Sequence, residues 1–294
     1  MEYQVVIPSY RRAEWLVQRT LTTLLNGKVD PARITVFVHD NDPQQDAYHD
    51  VAAATGVHIT ATPARGIIAQ RAYISNSYPA STRIVSLDDD VTGLRSLGTD
   101  GKLHPVQDLD AYIGHMFTET EKAGLKAWGL APVGNPFFMK PELSQGLKFL
   151  IYTCVGYINE PGHPAQQNTV PTKDDYEHSI RRWWWDGGVI RDNGTYATAD
   201  VYKGAGGLMG TGQRTPDKAE AAIRKLERQW PGIIRRNRRR KSDFPEIILN
   251  PHARHQGHDW LTPPPGADTA GTDPIVSAAN PPQSTLENAR RTLQ

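Results

Sequence analysis

Arg83-Ile84-Val85-Ser86-Leu87-Asp88-Asp89-Asp90-Val91 is the stretch around which the chain is organised. Ile84 to Leu87 is a short, mainly apolar run, as expected of a strand buried within a parallel sheet. Three carboxylates follow at once. Side chains alternate along an extended chain, so Asp88 and Asp90 share one side while Asp89 points to the other. Two carboxylates on one side at the exit of a buried strand suit a hard divalent cation with oxygen ligands. Ligands of open α/β sheets bind at that end of the strands. The bland alternative is a solvated acidic turn, and the rest of the N-terminal half has to decide between them.

Upstream, Gln4-Val5-Val6-Ile7 predicts a strand running into the loop Pro8-Ser9-Tyr10-Arg11-Arg12. Leu16, Val17, Leu21, Leu24 and Leu25 then recur at the spacing of one apolar helix face. A second strand, Ile34 to Val38, ends in His39-Asp40-Asn41-Asp42. A polar, Ala-rich helical stretch, a short strand from Val57 to Thr60, and a helix opened by Arg65-Gly66 follow. Strands alternating with helices predict an α/β fold with a mostly parallel sheet and right-handed crossovers. Residues 1–100 then form a Rossmann-like half, and its polar loops fall on one rim of the sheet. A hydroxyl, an aromatic ring and two guanidiniums from Pro8 to Arg12, with the carboxylates of Asp40 and Asp42, suit a nucleoside diphosphate.

With 33 basic and 32 acidic residues and a formal net charge of +1, global charge selects no partner. Cys154 is the only cysteine, so no intramolecular disulfide forms, which fits a reducing, cytoplasmic setting. Without an apolar leader or a run of membrane-spanning length, a soluble protein with no membrane partner is expected.

In the C-terminal part, Asp108 to Gly124 predicts an amphipathic helix, and Lys126–Val133 and Leu147–Ile158 predict strands. Between them Phe137 and Phe138 sit in a turn and are expected to pack into core or loop. Tyr176, Ile180, Trp183 and Trp184 fall at helical spacing, so a helix runs to Asp186 and stops at Gly187-Gly188. Thr172 and Asp175 resemble a capping box at its start. Trp183-Trp184-Trp185 cannot all be buried on one helix face, so one indole is expected to pack across an interface or face an acceptor. The glycine-rich stretch from Gly204 to Arg214 reads as a lid, a close approach to nucleic acid or a plain loop. A helix starting at Pro216 presents Ala219, Ala222, Ile223, Leu226 and Trp230 on one face.

Arg235, Arg236, Arg238, Arg239, Arg240 and Lys241 form the largest charge asymmetry in the chain. Such a run, read as part of a C-terminal basic helix, supplies sequence-independent phosphate contacts, so nucleic acid is the expected macromolecular partner. Phe244 to Leu249 predicts a late strand, followed by His252, His255 and His258, which could complete a metal shell. The Pro-rich segment 261–294 reads as a disordered tail.

The Val6 to Arg12 motif, the carboxylates ending the second strand, and Ser86-Leu87-Asp88-Asp89-Asp90 together resemble GT-A-fold glycosyltransferases. The chain is most similar, over about residues 1–260, to the TET-associated glycosyltransferases of phages and bacteria. That resemblance implies a single GT-A-like domain that transfers a sugar from a nucleotide-diphosphate sugar, such as a UDP-sugar, to 5-hydroxymethylpyrimidines in DNA. It implies Mn²⁺ or Mg²⁺ as cofactor and, if phage-encoded, action in the host cytoplasm. Pro8, Ser9, Tyr10, Arg11, Asp40, Arg65, Asp88 and Asp89 would lie at the nucleotide, with Arg254 on the leaving phosphates. Asp88 and Asp90 would hold the metal, joined by His252 or His255. Residues 101–260 would build the acceptor half. There Asp174-Asp175 resembles the acidic pair beside the acceptor, although the usual pairing is Glu-Asp. If the reaction inverts the sugar, Asp175, and after it Asp174, is the candidate base. Three other readings remain: the same chemistry on a polysaccharide, protein or small molecule; nucleotidyl transfer; and a non-catalytic nucleic-acid-binding module.

Overall fold

A computed structural model describes residues 1–200, 215–237, 239 and 244–253. β1 (Gln4–Ser9), β2 (Ile34–His39), β3 (His58–Thr62) and β4 (Arg83–Leu87) are parallel and lie in the order β3-β2-β1-β4. The same sheet continues through β9 (Cys154–Ile158), β7 (Ala127–Leu130), β10 (Val189–Asp192) and β8 (Leu143–Gly146), making eight strands. Only β9 and β8 run against the rest, so the sheet is mostly parallel, as the alternation of strands and helices predicts. It crosses residue 100 without a break, because β4 of the N-terminal half pairs with β9.

The central strands are apolar on both faces, which requires cover on both sides. On one side Val5, Ile7, Val36 and Val85 join Leu16, Leu24, Ile113 and Phe117 in one cluster; on the other Val6, Phe37 and Ile84 join Ile74, Tyr152 and Val155. Close packing governs β9 as well. A Cβ on Gly156 would stand 2.1 Å from the indole of Trp128, so only glycine fits there.

The first helix departs from regular periodicity. α1 (Ala13–Leu16) passes through a π turn (Val17–Leu21) into α2 (Thr22–Asn26). Leu16, Leu21 and Leu24 are buried as predicted, and the turn also places Thr20 inside. α3 (Gln45–Thr55), α4 (Ile67–Ser77) and α5 (Leu109–Lys122) follow. A smaller sheet of β11 (Thr195–Ala199), β5 (Val91–Leu97) and β6 (Leu103–Pro105) grows directly out of the acidic triplet.

α6 (Asp174–Asp186) is covered on nearly every side, burying even Glu177, His178 and Arg182. α7 (Pro216–Gln229) packs on it through Ala222, Ile223 and Leu226, and Trp184 and Trp185 each lie 5.7 Å from the Trp230 ring. The tryptophan run is therefore a joint within the chain. No capping box forms: Lys173, in a left-handed conformation (φ 65°), is the N-cap, and the Thr172 hydroxyl points to the Lys218 carbonyl. Phe137 and Phe138 also depart from expectation, being 85% and 68% exposed. The described start of the basic run is strand β12 (Ile234–Arg236), paired with β13 (Ile247–Leu249), so those residues are not helical. The glycine-rich stretch and the Pro-rich tail both fall wholly outside the described residues.

Candidate active site

The strand order fixes where a ligand would sit. β1, β2 and β3 march one way across the sheet and β4 lies on the other side of β1, so the chain reverses direction between β1 and β4. A crevice opens at such a switch point, outside the carboxyl ends of the two strands. The loop after β1 and the triplet after β4 meet there. Asp89 is buried and accepts from the Ser9 hydroxyl at 2.7 Å and from Arg12 Nη1 at 2.9 Å. Arg12 also approaches Asp90 at 3.6 Å. The triplet backbone is held from below: the Thr20 hydroxyl donates to the Asp88 carbonyl at 2.7 Å and accepts from the Val91 N–H at 3.0 Å. The π turn is what turns Thr20 toward it.

A second acidic pair joins the first through Arg71 on α4. Its guanidinium lies 3.7 Å from Asp88 and pairs with Asp174 at the start of α6, while stacking 3.3 Å from the centroid of the Tyr152 ring. Beside it, Asp175 accepts from the Tyr152 N–H at 2.8 Å, and the Tyr152 hydroxyl meets His178 Nδ1 at 2.7 Å. Residues 71, 88, 152 and 174, far apart in sequence, thus form one cluster.

Negative charge dominates it. Among the described residues, Asp88, Asp89, Asp90, Asp174 and Asp175 face Arg12 and Arg71, an excess of three carboxylates. Desolvation, outweighing the attraction of Arg71, and then repulsion from Asp90, Asp175 and Asp89 hold the Asp88 carboxyl well above the usual carboxylate range. Desolvation likewise raises Asp89 and Asp90. Burial and the nearby arginines push His178 well below the usual imidazole value. Asp88 nevertheless keeps 39% of its side chain exposed on the cleft floor. Carboxylate oxygens open to a crevice suit a hard divalent cation, which Asp88 and Asp90 could hold. A cavity of about 330 Å³ opens further along β5, between Thr92, Arg95, Tyr196 and Thr198, but its lining carries no carboxylate.

The remaining expected residues divide sharply. Pro8 lies buried within β1, beyond the point where pairing with β4 ends. Ser9 spends its hydroxyl on Tyr48 and Asp89. Asp42, buried, holds the loop by accepting from the Arg11 N–H at 2.8 Å, and Arg11 takes a positive φ of 56°. Asp89 serves Arg12 and Ser9 from below rather than facing the crevice. Tyr10, Arg11, Asp40 and Arg65 remain on the rim, with Arg11 over the Tyr10 ring at 5.0 Å. His252 is exposed after β13 and does not complete a three-ligand group with Asp88 and Asp90. Arg236, exposed, gives its donors to Glu220 and Glu227 on α7 at 2.8–2.9 Å. Arg235 and Arg239 are exposed. Arg238, Arg240, Lys241, Arg254 and His255 lie outside the described residues. Arg71, Tyr152 and Thr20 were not legible as site residues, since a lone arginine or threonine in a helix has no sequence mark of its partner.

No family model matches the sequence, and no curated protein does. Among solved structures, the chain is similar to TarS residues 1–349 of S. aureus, solved also with UDP, at TM-score 0.47 and 10% identity. The alignment covers 77% of this chain and 66% of that one. A putative glucose-1-phosphate thymidylyltransferase from Bacillus anthracis aligns at TM-score 0.40 and 13% identity over 67% of this chain and 89% of that one. The mannosyltransferase PcManGT of Pyrobaculum calidifontis, in complex with GDP-Man and Mn²⁺, aligns at TM-score 0.34 and 12% identity over 53% and 44%.

Proposed function

We propose that the protein is a metal-dependent glycosyltransferase of the GT-A type, moving a sugar from a nucleotide-diphosphate donor, a UDP-sugar, to the hydroxyl of a 5-hydroxymethylpyrimidine in DNA. The observation that carries this reading is the Arg71 bridge, which joins Asp88 at the switch-point crevice to Asp174 and sets Asp175 beside them. One carboxylate group at a donor site and another a side chain away is what transfer between two bound substrates requires.

Tyr10 and Arg11 on the rim offer a ring and a guanidinium to the donor's base and phosphates. When bound, a divalent cation at Asp88 and Asp90 would supply Lewis-acid neutralisation of the diphosphate. The acceptor oxygen forms its bond to the anomeric carbon as the bond from that carbon to the diphosphate oxygen breaks; the nucleoside diphosphate departs with the electron pair. If the transfer inverts, Asp175, and after it Asp174, is the candidate to take the acceptor proton. Tyr152 and His178 fix that arrangement from behind through the Tyr152 N–H and hydroxyl. The basic run favours a polyanionic acceptor, and a base within it must leave the stack at a cost of a few kcal/mol.

The test is a donor screen with Mn²⁺ against hydroxymethylated DNA, read by mass spectrometry of the digested nucleosides. A gain of one glycosyl unit, lost in Asp88→Asn, is expected. Release of pyrophosphate instead would identify nucleotidyl transfer. Equal transfer to free nucleosides or saccharides, with none to DNA, would remove the DNA acceptor while leaving the sugar chemistry in place.

A further inference from the structure

We propose that Glu160, His163 and Asp186 form a second divalent-cation site, remote from the crevice and suited to Zn²⁺, that anchors the far end of α6. Glu160 follows β9, whose end pairs with the start of β4 (Ile158 with Arg83), at the end of the strands opposite Asp88. Asp186 ends the 13-residue helix that begins at Asp174, which places it about 18 Å away at 1.5 Å per residue.

One donor atom from each of the three residues lies within 4.8 Å of the others. His163 Nδ1 is 3.9 Å from Glu160 Oε2 and 4.0 Å from Asp186 Oδ1. Asp186 is 1% exposed at its side chain; Oδ2 accepts from Arg182 at 2.8 Å, whereas Oδ1 is buried and takes no donor from the protein. Glu160 repeats the pattern, with Oε1 on Lys126 and Oε2 buried without a donor. His163 Nδ1 accepts a long hydrogen bond from the Ala165 N–H at 3.3 Å, which a metal ion taking the same lone pair would replace.

Lys126 and Arg182 hold the outer oxygens of the two carboxylates, while among the described residues no donor stands between the inner oxygens and His163, a gap that a cation would fill. A ring N–H at 3.9–4.0 Å from the oxygens is beyond hydrogen-bond reach. An ion spans the gap, since donors each about 2.1 Å from one Zn²⁺ stand up to roughly 4.2 Å apart. Imidazole with two carboxylates favours Zn²⁺ over Mg²⁺ or Ca²⁺. At the C-terminus of α6 the cation also meets the negative end of the helix dipole. It would tie the turn after β9 to that end, while the other end carries Asp174 and Asp175.

The test uses the chelator-stripped full chain carrying Asp88→Asn and Asp90→Asn, so that the crevice contributes no binding. Zn²⁺ titration by calorimetry is expected to give one equivalent, with Tm rising by roughly 5–10 °C at a hundred times Kd. His163→Ala, at a partly exposed residue, and separately Glu160→Gln, are expected to weaken Zn²⁺ by about tenfold or more. Asp186→Asn is a poor choice because it strips the buried Arg182 of its partner. No Zn²⁺ binding, or binding of unchanged affinity in both variants, would overturn the site. Neither outcome bears on the sugar-transfer reading.

Discussion

Arg71 is 13% exposed at its side chain and faces Asp88, Asp174 and Asp175 at once. Removing one partner of a buried ion pair is costlier than the pair is worth, because the other charge stays behind. Arg71→Met should cost about 3–5 kcal/mol in denaturant unfolding and abolish turnover. Arg71→Lys restores the charge but not the planar fork, so it should recover stability better than rate. Asp88 behaves in the opposite way. Its folded pKa is raised, so the folded chain holds that proton to higher pH than the unfolded chain does. Stability linked to Asp88 is therefore present below its ordinary value near 4 and lost as pH rises through the raised value. Asp88→Asn should then raise Tm at pH 7, flatten the Tm–pH curve on the acid side, and eliminate transfer. A fall in Tm at neutral pH would show that Asp88 stabilises the fold rather than burdening it.

At the scale of elements, the π turn decides the geometry of the triplet. Thr20 is fully buried and serves the Asp88 carbonyl and the Val91 N–H together. Thr20→Val keeps shape but leaves both backbone groups without a partner, costing about 1–3 kcal/mol. Because the Asp88–Val91 backbone loses its anchor, KM for donor should rise more in Thr20→Val than in Thr23→Val, whose hydroxyl reaches only the Val91 carbonyl at 3.2 Å. Equal effects of the two would reduce Thr20 to a stability role. This element also marks the limit of sequence reading. The parallel strands were legible, because each rests on residues adjacent in the chain. Thr20 looked like one more polar position in an amphipathic helix, since its partner lies 68 residues on. The supposed Thr172–Asp175 cap failed for a similar reason: Asp175 finds the Tyr152 N–H, which no local rule could weigh against the cap.

Across the whole molecule, the near-neutral charge conceals a segregation that DNA binding can probe. Six basic residues stand between 235 and 241, and in duplex DNA each phosphate contact contributes about −0.9 to the slope of log K against log salt. Arg236 is occupied: Glu220 and Glu227 take its guanidinium in two forked pairs, and hydrogen bonding from Arg236 and Arg224 lowers the Glu220 carboxyl to about 2. Five residues are then left for phosphate, which caps the slope from this run near −4.5. Arg235→Gln with Arg239→Gln, both exposed in the wild type, should reduce the slope by about 2 and weaken binding uniformly across sequences. Arg236→Gln should leave the slope unchanged while loosening β12 from α7, visible as a lower Tm. The measurement is fluorescence anisotropy of labelled hydroxymethylated DNA from 50 to 300 mM salt, at about 1 μM protein and below. If Arg236→Gln lowers the slope as much as the single Arg235→Gln change does, its glutamate pairs yield to phosphate in the complex. If no variant changes the slope, the run does not touch DNA, and the polyanionic acceptor loses its support while the aspartate crevice keeps its own.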